Sequence, residues 1–138
     1  MTGNLFFSVA QARSLLPTVR HLALEMVQTV NQMWGFGADL ELLAELSDQN
    51  AGSPQGTEYL HHLLQLHSCI KKIHDLGCLV KGVEDGLIDF PHMKNGRQVY
   101  LCWKLGEDDI AFWHEVDSGY DGRIPLEDET DAYESPSK

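Results

Sequence analysis

Basic residues are scarce in this 138-residue chain: 10 Lys and Arg stand against 21 Asp and Glu, for a formal net charge of −11. That sign repels a phosphate backbone, so nucleic-acid binding would need a local basic patch. The nearest approach is the pair Lys71 and Lys72, which reads as a solvated helix face. Cysteine is sparse too. Cys69, Cys78 and Cys102 are odd in number, irregularly spaced and without a CxxC, which speaks against a disulfide framework or a zinc knuckle. Long apolar runs are missing, and no stretch approaches the roughly 18 residues of a membrane span. The opening Met-Thr-Gly-Asn-Leu-Phe-Phe has neither the basic n-region nor the apolar run of a signal peptide. These absences lead to the expectation of a cytoplasmic protein whose partners include no nucleic acid and no membrane.

What is present is a globular composition, 43% hydrophobic with 12 glycines, in a chain the size of one ordinary domain. Ser8 followed three residues later by Gln11 is a capping-box signature that starts a helix. The apolar positions Val9, Ala12, Leu16, Val19, Ala23, Met26, Val30 and Met33 then recur at alternating gaps of three and four, one stripe on one helix side. Pro17 inside the stripe predicts a kink or a fresh start near Leu16, and Trp34-Gly35-Phe36-Gly37 ends the run. A short helical pattern covers Ala38 to Leu46, and 47–56 (SDQNAGSPQG) reads as a flexible loop. Thr57 can cap a second helix with stripe Tyr59, Leu63, Leu66, Ile70 and Ile73, and Gly77 suits its C-terminal cap.

After Gly77 the period becomes strand-like. Cys78 to Gly82, Leu87 to Phe90 (stopped by Pro91), Arg97 to Leu105 and Ile110 to Val116 are four short strands, with turn signals at Asp85-Gly86 and Asn95-Gly96. The fold class read from this is α+β. A long kinked helix and a second helix form an antiparallel helical layer, followed by a small four-stranded antiparallel β-meander. Residues 1–126 make the single domain, and the acidic segment 127–138 is expected to be disordered. The four-heptad stripe also suits pairing between two chains, so a homodimer through the long helix is expected.

Seven histidines invite a metal reading, but their spacing removes most of them. His61 and His62 are adjacent and diverge on a helix, and His67 and His74 lie about 10.5 Å apart along an axis rising 1.5 Å per residue. These read as histidines bordering the core. Trp113-His114-Glu115-Val116-Asp117 is more informative, because strand alternation puts His114 with Phe112 and Val116 and Glu115 with Trp113. Asp89 sits between Ile88 and Phe90 on a strand that ought to be apolar, and a buried carboxylate must be paired, hydrogen-bonded or metal-bound. Candidate ligands for one divalent metal are therefore His114, Asp89, Glu115, Glu107 and Glu84. The structural alternative pairs Asp89 with Arg97 or Arg123. Those arginines, each after a glycine, could clamp a small anion, and the ligand-binding candidates are Arg97, Tyr100, Trp103, Trp113 and Arg123. No nucleophile motif is present, and no catalytic residue can be assigned.

The strings GLIDFP, GRQVYLCWKLGE and IAFWHEVDSGYDGRIPL, with the opening run Ala12-Arg13-Ser14-Leu15-Leu16-Pro17, resemble a bacterial and archaeal family of uncharacterised proteins, domain-of-unknown-function family 2203. The likeness covers about Phe6 to Leu126. It implies a small single-domain protein, and it brings no catalytic residue with it. Two readings of function follow from the residues. One is a dimeric binding or interaction module with a polar pocket at the sheet end, taking a small anion or a protein partner. The other is a metal-binding protein, a metal-dependent hydrolase among its forms, built on His114 and nearby carboxylates. The first is preferred here because no ligand set has motif-grade spacing.

Overall fold

A reciprocal cap sets the first helix. In the computed structural model, which describes residues 6–34 and 54–127, the Ser8 N–H donates to Gln11 Oε1 at 2.9 Å and the Gln11 N–H donates to Ser8 Oγ at 3.0 Å. Two donors that a helix start leaves orphaned are thereby satisfied, and α1 runs Val9–Trp34. All eight stripe positions from Val9 to Met33 are buried, together with Leu22. Pro17 lies inside α1 without ending it, so no fresh start occurs near Leu16. A mid-helix proline costs about 3 kcal/mol. Burial of Leu16 and Val19 on either side of it, at about 1.5–3 kcal/mol each, offsets that.

The second helix, α2, runs Pro54–Asp75 and so begins a turn before the expected cap at Thr57. A proline in the first turn needs no partner for its missing N–H. The expected helix at Ala38 to Leu46 lies outside the described residues, as do the loop up to residue 53 and the acidic segment from 128 onward. On α2, Tyr59 and Ile73 are buried and Leu66 and Ile70 pack partly buried against the core, as expected, while Leu63 is 42% exposed and Cys69 joins the inward face. His67 and His74 are exposed, and neither borders the core. The helix ends as the sequence suggested. Gly77 has φ 99, the Cys78 N–H donates to Ile73 O, and the Gly77 N–H donates to His74 O, the paired bonds of a Schellman end.

Five strands follow: β1 Leu79–Gly82, β2 Leu87–Lys94, β3 Arg97–Lys104, β4 Phe112–Glu115 and β5 Ile124–Pro125. They form one sheet in chain order with every neighbouring pair antiparallel. The architecture is α+β, a helical pair followed by an antiparallel meander, with one strand more than expected. β5 is two residues long and contains a proline, so it has no alternation to announce it. β2 continues through Pro91 instead of stopping there. The Pro91 carbonyl accepts from the Phe7 N–H at 2.8 Å, so this residue's backbone faces away from β3 and no β2–β3 bond is lost. β1 ends its pairing at Leu79 opposite Asp89, which leaves that edge free for Phe7.

The core lies between the helices and one face of the sheet. Ile88, Phe90, Val99, Leu101 and Trp103 are each 0% exposed and cluster with the α1 stripe, Cys69 and Ile73. Two arginines of α1 fasten the β3–β4 connection over this layer. Arg13 Nη2 donates to Ile110 O at 2.8 Å, and Arg20 Nη2 donates to Asp108 O at 2.9 Å. The α1 stripe is covered within this chain, while Leu24, Leu60, Leu63 and Leu64 of the two helices stay exposed. Among the described residues, no helix is long and apolar enough to cross a membrane.

Candidate functional site

The site is positioned by a turn. Asn95 (φ 54) and Gly96 (φ 81) form a two-residue hairpin loop, the conformation that Asn-Gly favours because both residues need positive φ. Such a loop fixes register. Lys94 pairs with Arg97, and counting five residues along each strand puts Asp89 opposite Cys102. In the next pair Tyr100 faces His114 and Cys102 faces Phe112. Alternation sends Asp89, Tyr100, Cys102, Phe112 and His114 to the sheet face away from the helices.

That face is nevertheless buried where these residues stand. Asp89 and Cys102 are 0% exposed and His114 is 3% exposed. A carboxylate oxygen of Asp89, the Cys102 sulfur and a ring nitrogen of His114 all lie within 4.8 Å of one another. Among the described residues, this is the one group of three metal-type donors that converges in this way. Cations stacked on aromatic rings surround it. Arg123 Cζ lies 3.9 Å from the Phe112 ring centre and 4.5 Å from that of Tyr120. Lys81 Nζ lies 4.8 Å from the Tyr100 ring centre, and Tyr100 in turn packs 5.6 Å from the His114 ring.

Donor and acceptor counting narrows what the cluster can hold. His114 Nδ1 is 2.7 Å from the Glu115 carbonyl oxygen. A carbonyl only accepts, so Nδ1 carries a hydrogen and donates. His114 Nε2 therefore presents either a lone pair or a second N–H to Asp89 Oδ2, 3.0 Å away. Without a metal, one proton must lie between these two atoms. With a metal, the lone pair is free to bind it, and the bond from Nδ1 to a carbonyl is the outer-shell contact that orients a ligating histidine. Lys81 Nζ is 3.8 Å from Asp89 Oδ2, whereas the buried Asp89 Oδ1 has no hydrogen-bond partner. Burial, and then the charge of Asp89, push the Cys102 thiol up to about 12. A thiol held that high is a poor nucleophile at neutral pH, so covalent catalysis through Cys102 is not supported. Binding to a metal would instead displace the thiol proton outright.

A family model described as "Uncharacterized conserved protein (DUF2203)" matches residues 5–126. The chain belongs to the DUF2203 family. No curated protein and no solved structure matches it.

Within this DUF2203 chain the sequence-predicted residues divide sharply. His114, Asp89, Tyr100 and Arg123 come together on the outer face. Glu107 borders them, but Lys104 N–H engages its Oε1 and Arg123 engages its Oε2. Glu115 is turned to the other face, where both its oxygens pair with Arg97 in an exposed fork. Glu84 is exposed in the β1–β2 turn, away from the cluster. Trp103 and Trp113 belong to the helix-side core, and the Trp103 indole N–H donates to Glu107 O at 3.0 Å. The expected pairing of Asp89 with Arg97 or Arg123 does not occur; its partners are His114 and Lys81. Sequence reasoning missed Cys102 because it looked for cysteine motifs along the chain. The signal was there in the Asn95-Gly96 turn, whose register places Cys102 beside Asp89.

Proposed function

We propose that this chain binds one divalent transition-metal ion, of the zinc type, through Asp89, Cys102 and His114. The observation that carries the reading is the convergence of oxygen, sulfur and imidazole donors at one buried point. A mixed donor set suits zinc and its neighbours, whereas magnesium and calcium favour oxygen alone. Neighbouring ligand atoms around tetrahedral zinc stand roughly 3.3–3.8 Å apart, given bonds of about 2.0–2.3 Å. The side chains need close by only about 1 Å to reach that arrangement. Three protein ligands leave one position for an exogenous group, the pattern of catalytic rather than structural zinc sites.

The competing reading, a binding module without metal, leaves Asp89 Oδ1 buried with no partner better than the weak Cys102 thiol donor beside the carboxylate. That costs about 1–3 kcal/mol, and more when the group is charged. Ligation by Asp89 gives the carboxylate a partner of opposite charge.

Elemental analysis of untagged protein purified without chelators tests the proposal. It expects close to one zinc, manganese or iron per chain. His114→Ala and Cys102→Ser should each lose that metal while keeping the far-ultraviolet circular dichroism of the parent. A value near zero, unchanged after reconstitution, would sink the metal reading and direct attention to protein partners.

A further inference from the structure

We infer that the metal-loaded site takes a small monocarboxylate at its remaining coordination position, with the Arg123 guanidinium holding the second carboxylate oxygen. This rests on the metal reading above and names the ligand class of the same site.

Arg123 is the unexplained group beside the cluster. Its side chain is 9% exposed and its Nη2 donates to Glu107 Oε2 at 2.6 Å, while its Nε is buried with no hydrogen-bond partner. The guanidinium lies 3.9 Å over the Phe112 ring, and Phe112 is the cross-strand partner of Cys102. An unpaired, buried donor therefore stands on the ring that faces the proposed sulfur ligand across the strands, close enough for the Arg123 charge to act on that thiol. A buried N–H without an acceptor is costly, and a ligand oxygen would satisfy it.

Charge decides the class of ligand. The ion's two positive charges are balanced by Asp89 and the Cys102 thiolate, and Arg123 is balanced by Glu107. Lys81, 40% exposed and 3.8 Å from Asp89, leaves one positive charge over at the solvent edge of the cluster. A monoanion neutralises it; a phosphate dianion would leave a buried negative charge instead. Two acceptor oxygens let a carboxylate bridge metal and Nε–H, which chloride cannot do. Phe112 and Tyr120 both lie against the guanidinium and hold it in place.

Cobalt(II) substitution tests this, because the visible ligand-field bands of cobalt report its coordination directly. Acetate should shift those bands saturably, and chloride at equal ionic strength should not. Arg123→Ala should weaken the acetate midpoint at least roughly tenfold, the scale of one charge-assisted hydrogen bond, with cobalt stoichiometry unchanged. Arg123→Lys keeps the charge but loses the Nε–H donor, and should weaken acetate likewise; it serves if the alanine variant fails to fold. Cobalt bands that ignore acetate, or variants that respond to acetate as the parent does, would overturn the inference and leave the metal reading standing. Absence of any cobalt bands would overturn both.

Discussion

On the helix side of the sheet, Ile88, Phe90, Val99, Leu101 and Trp103 are all 0% exposed and all apolar. On the opposite side Asp89 and Cys102 are also 0% exposed, and His114 is 3% exposed. The same strands thus bury two kinds of residue to the same depth by different means. Two long helices cover the apolar face, and its free energy comes from area removed from water. The polar face is closed by a few cations lying on aromatic rings, and it buries groups that cost free energy unless they are paired. Stability belongs to the first face. The proposed metal chemistry belongs to the second.

The largest expected effect tests that division. Trp103→Ala empties a large fully buried site on the helix side and should cost about 3–5 kcal/mol, read from the urea midpoint. Cys102→Ala, at the neighbouring position on the same strand, removes one sulfur and should cost about 1 kcal/mol in metal-free protein. Equal costs would break the comparison, because the polar face would then be as much a stabilising core as the apolar one.

Much of the apolar face could be read from the chain. The α1 stripe was complete because a 3–4 repeat and a Ser8–Gln11 box are local signals. The α2 stripe held except at Leu63, and Cys69 was not foreseen beside Ile70 because neighbouring apolar residues have similar character and only packing ranks them. β5 was invisible, since a two-residue strand has no period. The polar face was half legible. Asp89 and His114 stood out as polar residues in apolar strands. Cys102 did not, because a buried cysteine looks like any small apolar residue and its role depends on what lies opposite. Arg123 could be named as a candidate, but its stacking on Phe112 depends on the chain's return as β5, which nothing local foretold.

A smaller effect, spread over pH, compares one thiol from each face. Burial alone pushes Cys78, on the helix side, up to about 12. Cys102 is pushed up to about 12 by burial first and by the charge of Asp89 second. In unfolded chain a thiol titrates near 9.0. Below that value each thiol is protonated in both states and its stabilising contribution is complete. As pH rises from about 9 towards 12, the unfolded chain loses protons that the folded chain keeps, so stability falls. Cys78→Ala and Cys102→Ala should each remove about 1.4 kcal/mol per pH unit from that alkaline slope in metal-free protein. An unchanged slope in either variant would show that the thiol in question is not held protonated by the fold.

The smallest effect belongs to two residues that the sequence offered for separate sites and the fold pairs with each other. Arg97 and Glu115 form an exposed fork at the hairpin end of the sheet. Its hydrogen bonds to Arg97 hold the Glu115 carboxyl below its ordinary range, against some opposing desolvation and with help from the Arg97 charge. A carboxyl lowered in the folded state contributes stability above its unfolded value and loses it as pH falls through the folded one. Arg97→Ala should therefore lower the melting temperature slightly at neutral pH and converge with the parent in acid. High salt should shrink the difference, because exposed pairs are weak and screened. The same variant also checks the separation of the two faces. The Glu115 carbonyl accepts from His114 Nδ1 while the Glu115 side chain points to the other side of the sheet. Metal content and the acetate response should thus survive Arg97→Ala intact. Loss of either would mean that the exposed fork and the buried cluster act as one site, and that the sheet does not divide them.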